Sequence, residues 1–552
     1  MIPALLNMVG GLGIFFIGMK IMSDSIQKSA GDGFHKLLNA MTGNPFFAIL
    51  TGLLTTAVIQ SSSATTVMLV SLVNAGLISL KQSIGVIMGA NIGTTLTSWI
   101  VSFLGFKIKI SSFALPAIAF SLPLRFSKRE RLKDISGILL GFGLLFLGLE
   151  EMKDAVSGIK DNTAAFEFVQ HLTGFGFGST LLFIFIGTLL TIAVQSSSAA
   201  MTITLTFAFN GWIPFPIAAS IVLGENIGTT ITAYLASLEM NVHAKRTARA
   251  HLIFNIIGVI WMIILMKPAL ALVDYLIPGA ANDTASMPFH LSAFHSLFNI
   301  TNSFLLVWFI PQIEKAVTYL IPMEEKESTG PYKIPTIPKN IMENSTSNLI
   351  NAQSEVGKMS QVVSDMMGLF QDSIGNDDKL ITKNATKMEE LDNLTIQMQE
   401  ELTQYLIDCS LGDLSEAQGL QLSALVTSVN ELHRIAHGCS QSHKILQNRP
   451  RKNWDFHKGA DKEITNYSMM VKDFLDLNTQ LLKQNGSHQE LTKAEELEES
   501  INMTRKKLTK TARQKIKQGG SLKGELFYME IIRHLEQIGD FSHSMAQAIH
   551  VL

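Results

Sequence analysis

The stretch Gln60-Ser61-Ser62-Ser63 interrupts apolar sequence on both sides, and it returns 135 residues later as Gln195-Ser196-Ser197-Ser198. A second motif follows each copy in the same register. These are Gly89-Ala90-Asn91-Ile92-Gly93-Thr94-Thr95 and Gly224-Glu225-Asn226-Ile227-Gly228-Thr229-Thr230. Gly52 and Gly187, Gly76 and Gly211, and Thr97 and Thr232 keep the same offset. Small polar residues also serve ordinary helix–helix contacts in membranes, and that would explain a single Ser-Ser-Ser. It does not explain two registered copies with matched partners, which mark an internal duplication. Duplicated apolar halves with interrupted segments are the sequence sign of a secondary transporter whose site lies between the repeats.

The formal net charge of −2 averages two unlike parts. Residues 1–322 are almost continuously apolar, and residues 340–552 are polar with charges at helical spacing. A Glu-, Lys- and Pro-rich linker, about 323–339, joins them and contains Pro331, Pro335 and Pro338. The polar part has no basic surplus, so nucleic acid is not an expected partner. The N-terminus lacks the charged start and the cleavage pattern of a signal peptide, so its apolar run reads as a retained membrane helix. Cys409 and Cys439 both fall in the polar part and imply no disulfide framework. With no Walker motif, nucleophile elbow or zinc-protease helix, the chain does not read as an enzyme.

The expected fold is all-α: a polytopic membrane protein with inverted repeats, about 1–124 and 132–312, and two re-entrant helical hairpins. Segments of spanning length fall at roughly 3–23, 79–104, 108–124, 132–152, 214–238, 249–267 and 291–312. Each Gln-Ser-Ser-Ser sits in the middle of a longer stretch, 44–78 or 178–212, and is expected at a hairpin tip. Irregular backbone is tolerated at membrane depth only around a cavity. Arg125, Lys128, Arg129, Arg131 and Lys133 form one basic loop, and Lys245, Arg246 and Arg249 form another. Both are expected on the cytoplasmic side of the cell's inner (cytoplasmic) membrane. Counting spans from them puts the N-terminus outside, the first hairpin entering from the cytoplasm, the second from outside, and the C-terminal domain in the cytoplasm.

A broken helix offers free N–H groups at the start of its second half and free carbonyls at the end of its first half. The former suit an anion and the latter a cation. The candidate substrate- and ion-binding residues are therefore Gln60, Ser61, Ser62 and Ser63 with Asn91, Thr94 and Thr95. Their repeat mates are Gln195, Ser196, Ser197 and Ser198 with Asn226, Thr229 and Thr230. Hydroxyls, amides and carbonyls are hard ligands that fit sodium beside a compact oxyanion. Neither motif contains Arg or Lys, which allows release of the anion. Glu225 is the one acid, opposite Ala90, and an ionisable group at membrane depth is a functional candidate. Asp24 and Asp154 read as interfacial. His251 with Asn255 and His295 with Asn299 each share a helix face, and bundle hydrogen bonding is their more common use.

These motifs resemble the type II sodium–phosphate cotransporter family over roughly residues 1–320. The resemblance implies sodium-coupled movement of inorganic phosphate, with Gln60 to Ser63 and Gln195 to Ser198 near the substrate.

The polar part shows continuous helical periodicity, broken by turn signals near 375–377, 411–413, 448–450, 485–487 and 519–520. Six helices in two three-helix bundles are expected. Leu432-His433-Arg434-Ile435-Ala436-His437 parallels Leu535-Glu536-Gln537-Ile538-Gly539-Asp540, each copy placing two candidate metal ligands on one helix face. Glu536 and Asp540 resemble the signature of the phosphate-uptake regulator (PhoU) family, which implies a divalent or transition metal. His433 and His437 depart from the pattern and shift any preference toward Zn, Fe or Ni. The expected function is sodium-coupled phosphate transport by alternating access, with a regulatory cytoplasmic domain. The competing readings are a membrane-anchored phosphate sensor that does not transport, and a phosphate exporter. Inorganic phosphate, sodium and membrane lipid are the expected partners, and a homodimer is compatible with the sequence.

Overall fold

A computed structural model describes residues 2–30, 44–107, 111–159, 172–322 except Asn282, 332–334, and 345–550 except Asp377, 412–413, 453 and 485–487. The chain divides into two compact units, 1–324 with 337–341 and 325–336 with 342–552. All regular elements among the described residues are helical.

The first unit is a multi-pass membrane protein, with six helices long and apolar enough to cross a bilayer. It opens with α1 (Ile2–Ala30), then α2 (Pro45–Ile59), α3 (Ser62–Asn74) and α4 (Leu80–Ile100). There follow α5 (Ser111–Arg125), α6 (Glu130–Ile159), α7 (Phe177–Val194), α8 (Ser197–Phe209), α9 (Phe215–Gly228) and α10 (Thr230–Ala236). The unit closes with α11 (Val242–Ile264), α12 (Met266–Leu276), α13 (Met287–Leu306) and α14 (Ile310–Leu320). Two expected spans are shorter than the periodicity implied. Helix α5 has 15 residues and carries Pro116 and Pro123, whose missing N–H groups weaken the helix ladder. The segment 214–238 is divided into α9 and α10 at Thr229. Conversely α7, expected as half a hairpin, is itself of spanning length.

Glycine decides how the long helices meet. A Cβ on Gly52 would lie 2.0 Å from the Val86 carbonyl oxygen, and one on Gly89 would lie 1.9 Å from that of Ile49. Helices α2 and α4 thus touch backbone to backbone. The same contacts recur between α7 and α9: Gly187 against the Ile221 oxygen at 2.2 Å, and Gly224 against the Ile184 oxygen at 1.9 Å. All four residue pairs keep the offset of 135. A second register appears where α1 crosses α6. Gly18 would meet Leu145 N at 2.3 Å and Gly148 would meet Phe15 N at 2.3 Å. Gly18, Met22 and Asp24 stand 130 residues before Gly148, Met152 and Asp154.

Helix α4 continues as a π-helical turn, Val101–Lys107. Lys153 on α6 donates to the Gly105 carbonyl of that turn at 3.0 Å and pairs with Glu150. A π turn disturbs the regular ladder, and the ammonium satisfies the carbonyl exposed there.

The second unit has six helices: α15 (Ser345–Asp372), α16 (Asp378–Ser410), α17 (Glu416–Arg451), α18 (Ala460–Gln484), α19 (His488–Lys517) and α20 (Leu522–His550). The first three pack on one another, as do the last three, and α15–α18 and α17–α20 contacts join the sets. Gln353 donates to the Leu482 carbonyl at 2.7 Å, and Ser360 meets Thr479 at 2.7 Å. Most of the expected linker, and the expected turns at 412–413 and 485–487, lie outside the described residues. Residues 332–334 of that linker belong to the bundle. Tyr332 N–H donates to Gln397 at 2.9 Å, its hydroxyl donates to Glu355, and Ile334 joins the core. An apolar residue of this kind inside a Pro-rich stretch has core surface to cover.

The expected metal at Glu536, Asp540, His433 and His437 finds no support. Arg505 Nε pairs with the Glu536 carboxylate at 2.7 Å. Among the described residues, no group of three or more His, Cys, Asp or Glu side chains is placed to share an ion. Burial raises both Glu536 and Asp540 above the usual carboxylate range.

Two predictions follow from this packing. Gly52→Ala and Gly224→Ala should each destabilise the protein by about 1–3 kcal/mol through overpacking. Gly13→Ala, with nothing within 4 Å of its Cβ, should be neutral or better in a thermal melt of the purified chain. Equal melting of all three would contradict the close crossings. In the second unit, buried His443 contacts Ser373 at 3.0 Å and is pushed down to about 4 by burial. An unfolded histidine takes up its proton near 6.5. The unfolded state therefore binds more protons as pH falls from about 6.5 to about 4, and stability is lost over that window. Amide exchange of α17 in the full chain should show the loss, and His443→Gln should flatten it. An unchanged slope in the variant would contradict the assignment.

Candidate functional site

Both Gln-Ser-Ser-Ser segments lie at breaks between two helices, and the backbone repeats in detail. Gln60 ends α2 with φ 58°, and Gln195 ends α7 with φ 56°. They are the only non-glycine residues with positive φ among the described residues. A left-handed conformation costs an L-residue roughly 1–2 kcal/mol, so its appearance at two duplicated glutamines points to function. Ser61 and Ser196 follow in extended conformation, with φ −145° in both. Each caps the next helix: Ser61 Oγ accepts from Ala64 N at 3.2 Å, and Ser196 Oγ accepts from Ala199 N at 3.3 Å. Thr56 donates to Thr65 across the first break at 3.2 Å, so the chain doubles back there. The repeat mate of Thr65 is Ala200, and Thr191 Oγ1, the mate of Thr56, is correspondingly buried without a hydrogen-bond partner among the described residues. Ser23 on α1 donates to the Ile59 carbonyl at 2.6 Å and satisfies one C-terminal acceptor of α2.

A small cavity is lined by Ser62, Asn91, Thr94, Ser197, Glu225, Asn226, Thr229 and His295. Six of these eight are repeat mates: Ser62 with Ser197, Asn91 with Asn226, and Thr94 with Thr229. The room amounts to about 10 Å³ for the centre of a water-sized sphere, about one water. An oxyanion larger than water needs the tips to separate.

The lining divides into donors and acceptors. Asn91 and Asn226 donate from Nδ2 to the Ile87 and Val222 carbonyls of their own helices, both at 2.8 Å. Thr94 and Thr229 donate their hydroxyl hydrogens to the Ala90 and Glu225 carbonyls at 3.1 and 2.8 Å. Their side-chain oxygens remain as acceptors. Ser62 and Ser197 instead open α3 and α8, where first-turn N–H groups lack intrahelical acceptors. Ser62 Oγ is buried without a hydrogen-bond partner among the described residues. Serine hydroxyls and helix N-termini supply anion donors, and the Asn, Thr and Glu oxygens supply hard cation ligands.

The other expected residues play supporting parts. Gln60 accepts from Thr97 at 3.0 Å. Thr95 and Thr230 donate to the Ile92 and Ile227 carbonyls, both at 2.8 Å. Ser63 and Ser198 lend their carbonyls to Thr66 and Thr202. Gln195 is exposed, unlike its buried mate Gln60. His295, expected to serve bundle packing, also faces the cavity, with Nδ1 3.0 Å from Ser98 Oγ. Asn255 and Asn299 donate to the carbonyls of His251 and His295, both at 3.0 Å, so the helix-face echo is a real local geometry. Thr204, in no motif, donates to Glu225 Oε1 at 2.7 Å.

A duplicated helix break facing a buried polar cavity, within a multi-pass unit, defines a membrane transporter rather than a soluble binding module. Residues 14–154 and 162–277, most of the first unit, match the model of the Na+/Pi-cotransporter family. It is 29% identical over 308 residues to the uncharacterized protein YqeW of Bacillus subtilis, covering 56% of this chain and 95% of that protein. It is 26% identical over 367 residues to YjbB of Salmonella typhimurium, provisionally named an inorganic phosphate export protein. That match covers 66% of this chain and 64% of YjbB. A third match, 39% identical over 101 residues, is to the sodium-dependent phosphate transport protein 2A of Rattus norvegicus, covering 18% of this chain and 16% of that protein. No solved structure matches the chain.

Proposed function

We propose that this protein carries inorganic phosphate across the cytoplasmic membrane together with sodium, through the cavity between the two helix breaks. The observation that carries the reading is the lining itself. Three repeat-mate pairs converge on one small space, with anion donors at the helix starts and acceptor oxygens beside them. Phosphate sits between Ser62 and Ser197, and sodium ions sit among the Asn, Thr and Glu oxygens. The family match and the rat relative's sodium-dependent phosphate transport support the same pairing. Alternating access by inverted repeats is supported by the unequal tips. Gln60 is buried and bound by Thr97, whereas Gln195 is exposed and Thr232 turns to its own helix, donating to Thr229. Exchanging those two arrangements would expose the site on the other side. The N-terminus lies outside and the second unit in the cytoplasm, where it tunes transport. A second reading, net export, is favoured by the match to the export protein, which spans 367 residues.

The test is labelled phosphate flux in proteoliposomes with sodium gradients imposed in either direction. Sodium-driven flux is expected; phosphate binding without flux would favour a sensor. Within that assay Ser62 and Ser136 separate binding from folding. Ser62 Oγ makes no hydrogen bond among the described residues, so Ser62→Ala should leave the melting temperature unchanged. It should weaken phosphate handling about tenfold, the loss of a hydrogen bond to a charged group. Ser197→Ala should do the same. Ser136 Oγ donates to the Ser121 carbonyl at 2.7 Å, so Ser136→Ala should cost about 1 kcal/mol of stability and leave flux intact. Unchanged transport constants in both tip variants would sink the site.

A further inference from the structure

The two halves of the cavity differ at one pair of positions. Thr204 on α8 donates to Glu225 Oε1 at 2.7 Å, and both side chains are buried. At the same positions 135 residues earlier stand Leu69 and Ala90, both buried and apolar. The acid and its donor occur together in one repeat and are missing together from the other. A carboxylate that only lent polarity to the fold would not need a dedicated donor at one site and an apolar pair at its mate.

Glu225 is 3% exposed and lines the cavity, where a carboxylate costs free energy unless it is paired. Among the described residues no Lys or Arg lines the space, and His295 is the other titratable lining group. Helices α7 and α8, packed against α9 and each other, carry no titratable side chain. Thr204 engages one carboxylate oxygen with a neutral hydroxyl. Asn226 and Thr229 each donate a hydrogen to a carbonyl of their own helix, which leaves Asn226 Oδ1 and Thr229 Oγ1 as acceptors in the same lining as Glu225. An independent sign that the cavity takes a ligand is Ser62 in the same lining, a residue 6% exposed whose buried Oγ has no hydrogen-bond partner among the described residues.

We propose that the two repeats offer non-equivalent cation loci, the second charge-bearing. There a sodium ion is held by the Glu225 carboxylate with the Asn226 and Thr229 oxygens, and Thr204 is the positioning residue that fixes the carboxylate. The first repeat, with Asn91 and Thr94 alone, offers only neutral oxygens. This rests on the sodium-coupled reading above. Its consequence is an order of binding. The cation at Glu225 neutralises the carboxylate, and the phosphate anion then enters a site with no net negative charge.

The experiment uses the full-length protein in proteoliposomes and reads half-activating sodium separately from the phosphate KM at saturating sodium. Glu225→Gln should raise half-activating sodium about tenfold or more, and Thr204→Val severalfold, as expected for lost bonds to a charged group. The phosphate KM should change less than about twofold, because uniform loss of binding would move both constants. Thr204→Ser keeps the donor and should restore wild-type activation. Should Glu225→Gln fail to insert, Thr204→Val and its serine rescue carry the test. Sodium-dependent stabilisation of the detergent-purified chain against heat, read without transport, should be diminished in Thr204→Val and Glu225→Gln. Sodium activation that overlays wild type in both variants overturns the proposal, as does a Thr204→Ser that behaves like Thr204→Val. Wild-type flux indifferent to sodium overturns the sodium-coupled reading itself, and this inference with it.

Discussion

A helix that stops inside apolar surroundings leaves backbone N–H and C=O groups that no lipid can satisfy. The membrane unit is organised around two such stops. Each is made by a glutamine forced into a left-handed turn and a serine that caps the next helix. Some of the exposed groups are silenced locally, as Ser23 does for the Ile59 carbonyl. Ser62 and Ser197, which open the helices after the stops, line the cavity. First-turn N–H groups and serine hydroxyls carry partial positive charge, so the proposed anion site requires no arginine or lysine.

Close packing makes the stops meet. The glycine crossings of α2 with α4 and of α7 with α9 bring each break beside its Asn-Ile-Gly-Thr-Thr motif at backbone contact distance. Asn91, Thr94 and their mates Asn226 and Thr229 each donate a hydrogen into their own helix and keep acceptor oxygens in the cavity lining. One duplicated sequence therefore produces a donor surface and an acceptor surface in a fixed relation. Departures from the duplication are informative because the background is so regular. Thr65 against Ala200 leaves Thr191 without a hydrogen-bond partner among the described residues, and Leu69 with Ala90 against Thr204 with Glu225 gives one half a carboxyl group.

Much of this was legible in the sequence, for reasons that are themselves physical. Polar residues inside apolar runs are costly, so Gln60 to Ser63 and Gln195 to Ser198 stood out, and seven of the eight cavity residues lie in the quoted motifs. Thr204 stayed hidden because a lone threonine in an apolar helix ordinarily donates to its own backbone. His295 was visible as half of a His/Asn echo, yet its neighbour across the cavity depends on how α13 crosses the duplicated helices, which no local period records. The α1–α6 duplication was missed because its offset is 130 rather than 135 and its glycines mark packing rather than chemistry. Six helices in the second unit followed from periodicity and turn residues. The paired appearance of His433, His437, Glu536 and Asp540 did not reveal that Arg505, far away in sequence, takes the Glu536 carboxylate.

Transport as proposed requires that the two serine tips hold the anion between them. A cryo-electron microscopy map of the full-length protein prepared with sodium and inorganic phosphate tests it most directly. Tetrahedral density within hydrogen-bonding distance of both Ser62 Oγ and Ser197 Oγ, absent when sulfate-free buffer without phosphate is used, is the predicted result. Phosphate density elsewhere in the membrane unit, with the serine tips unchanged, would contradict it.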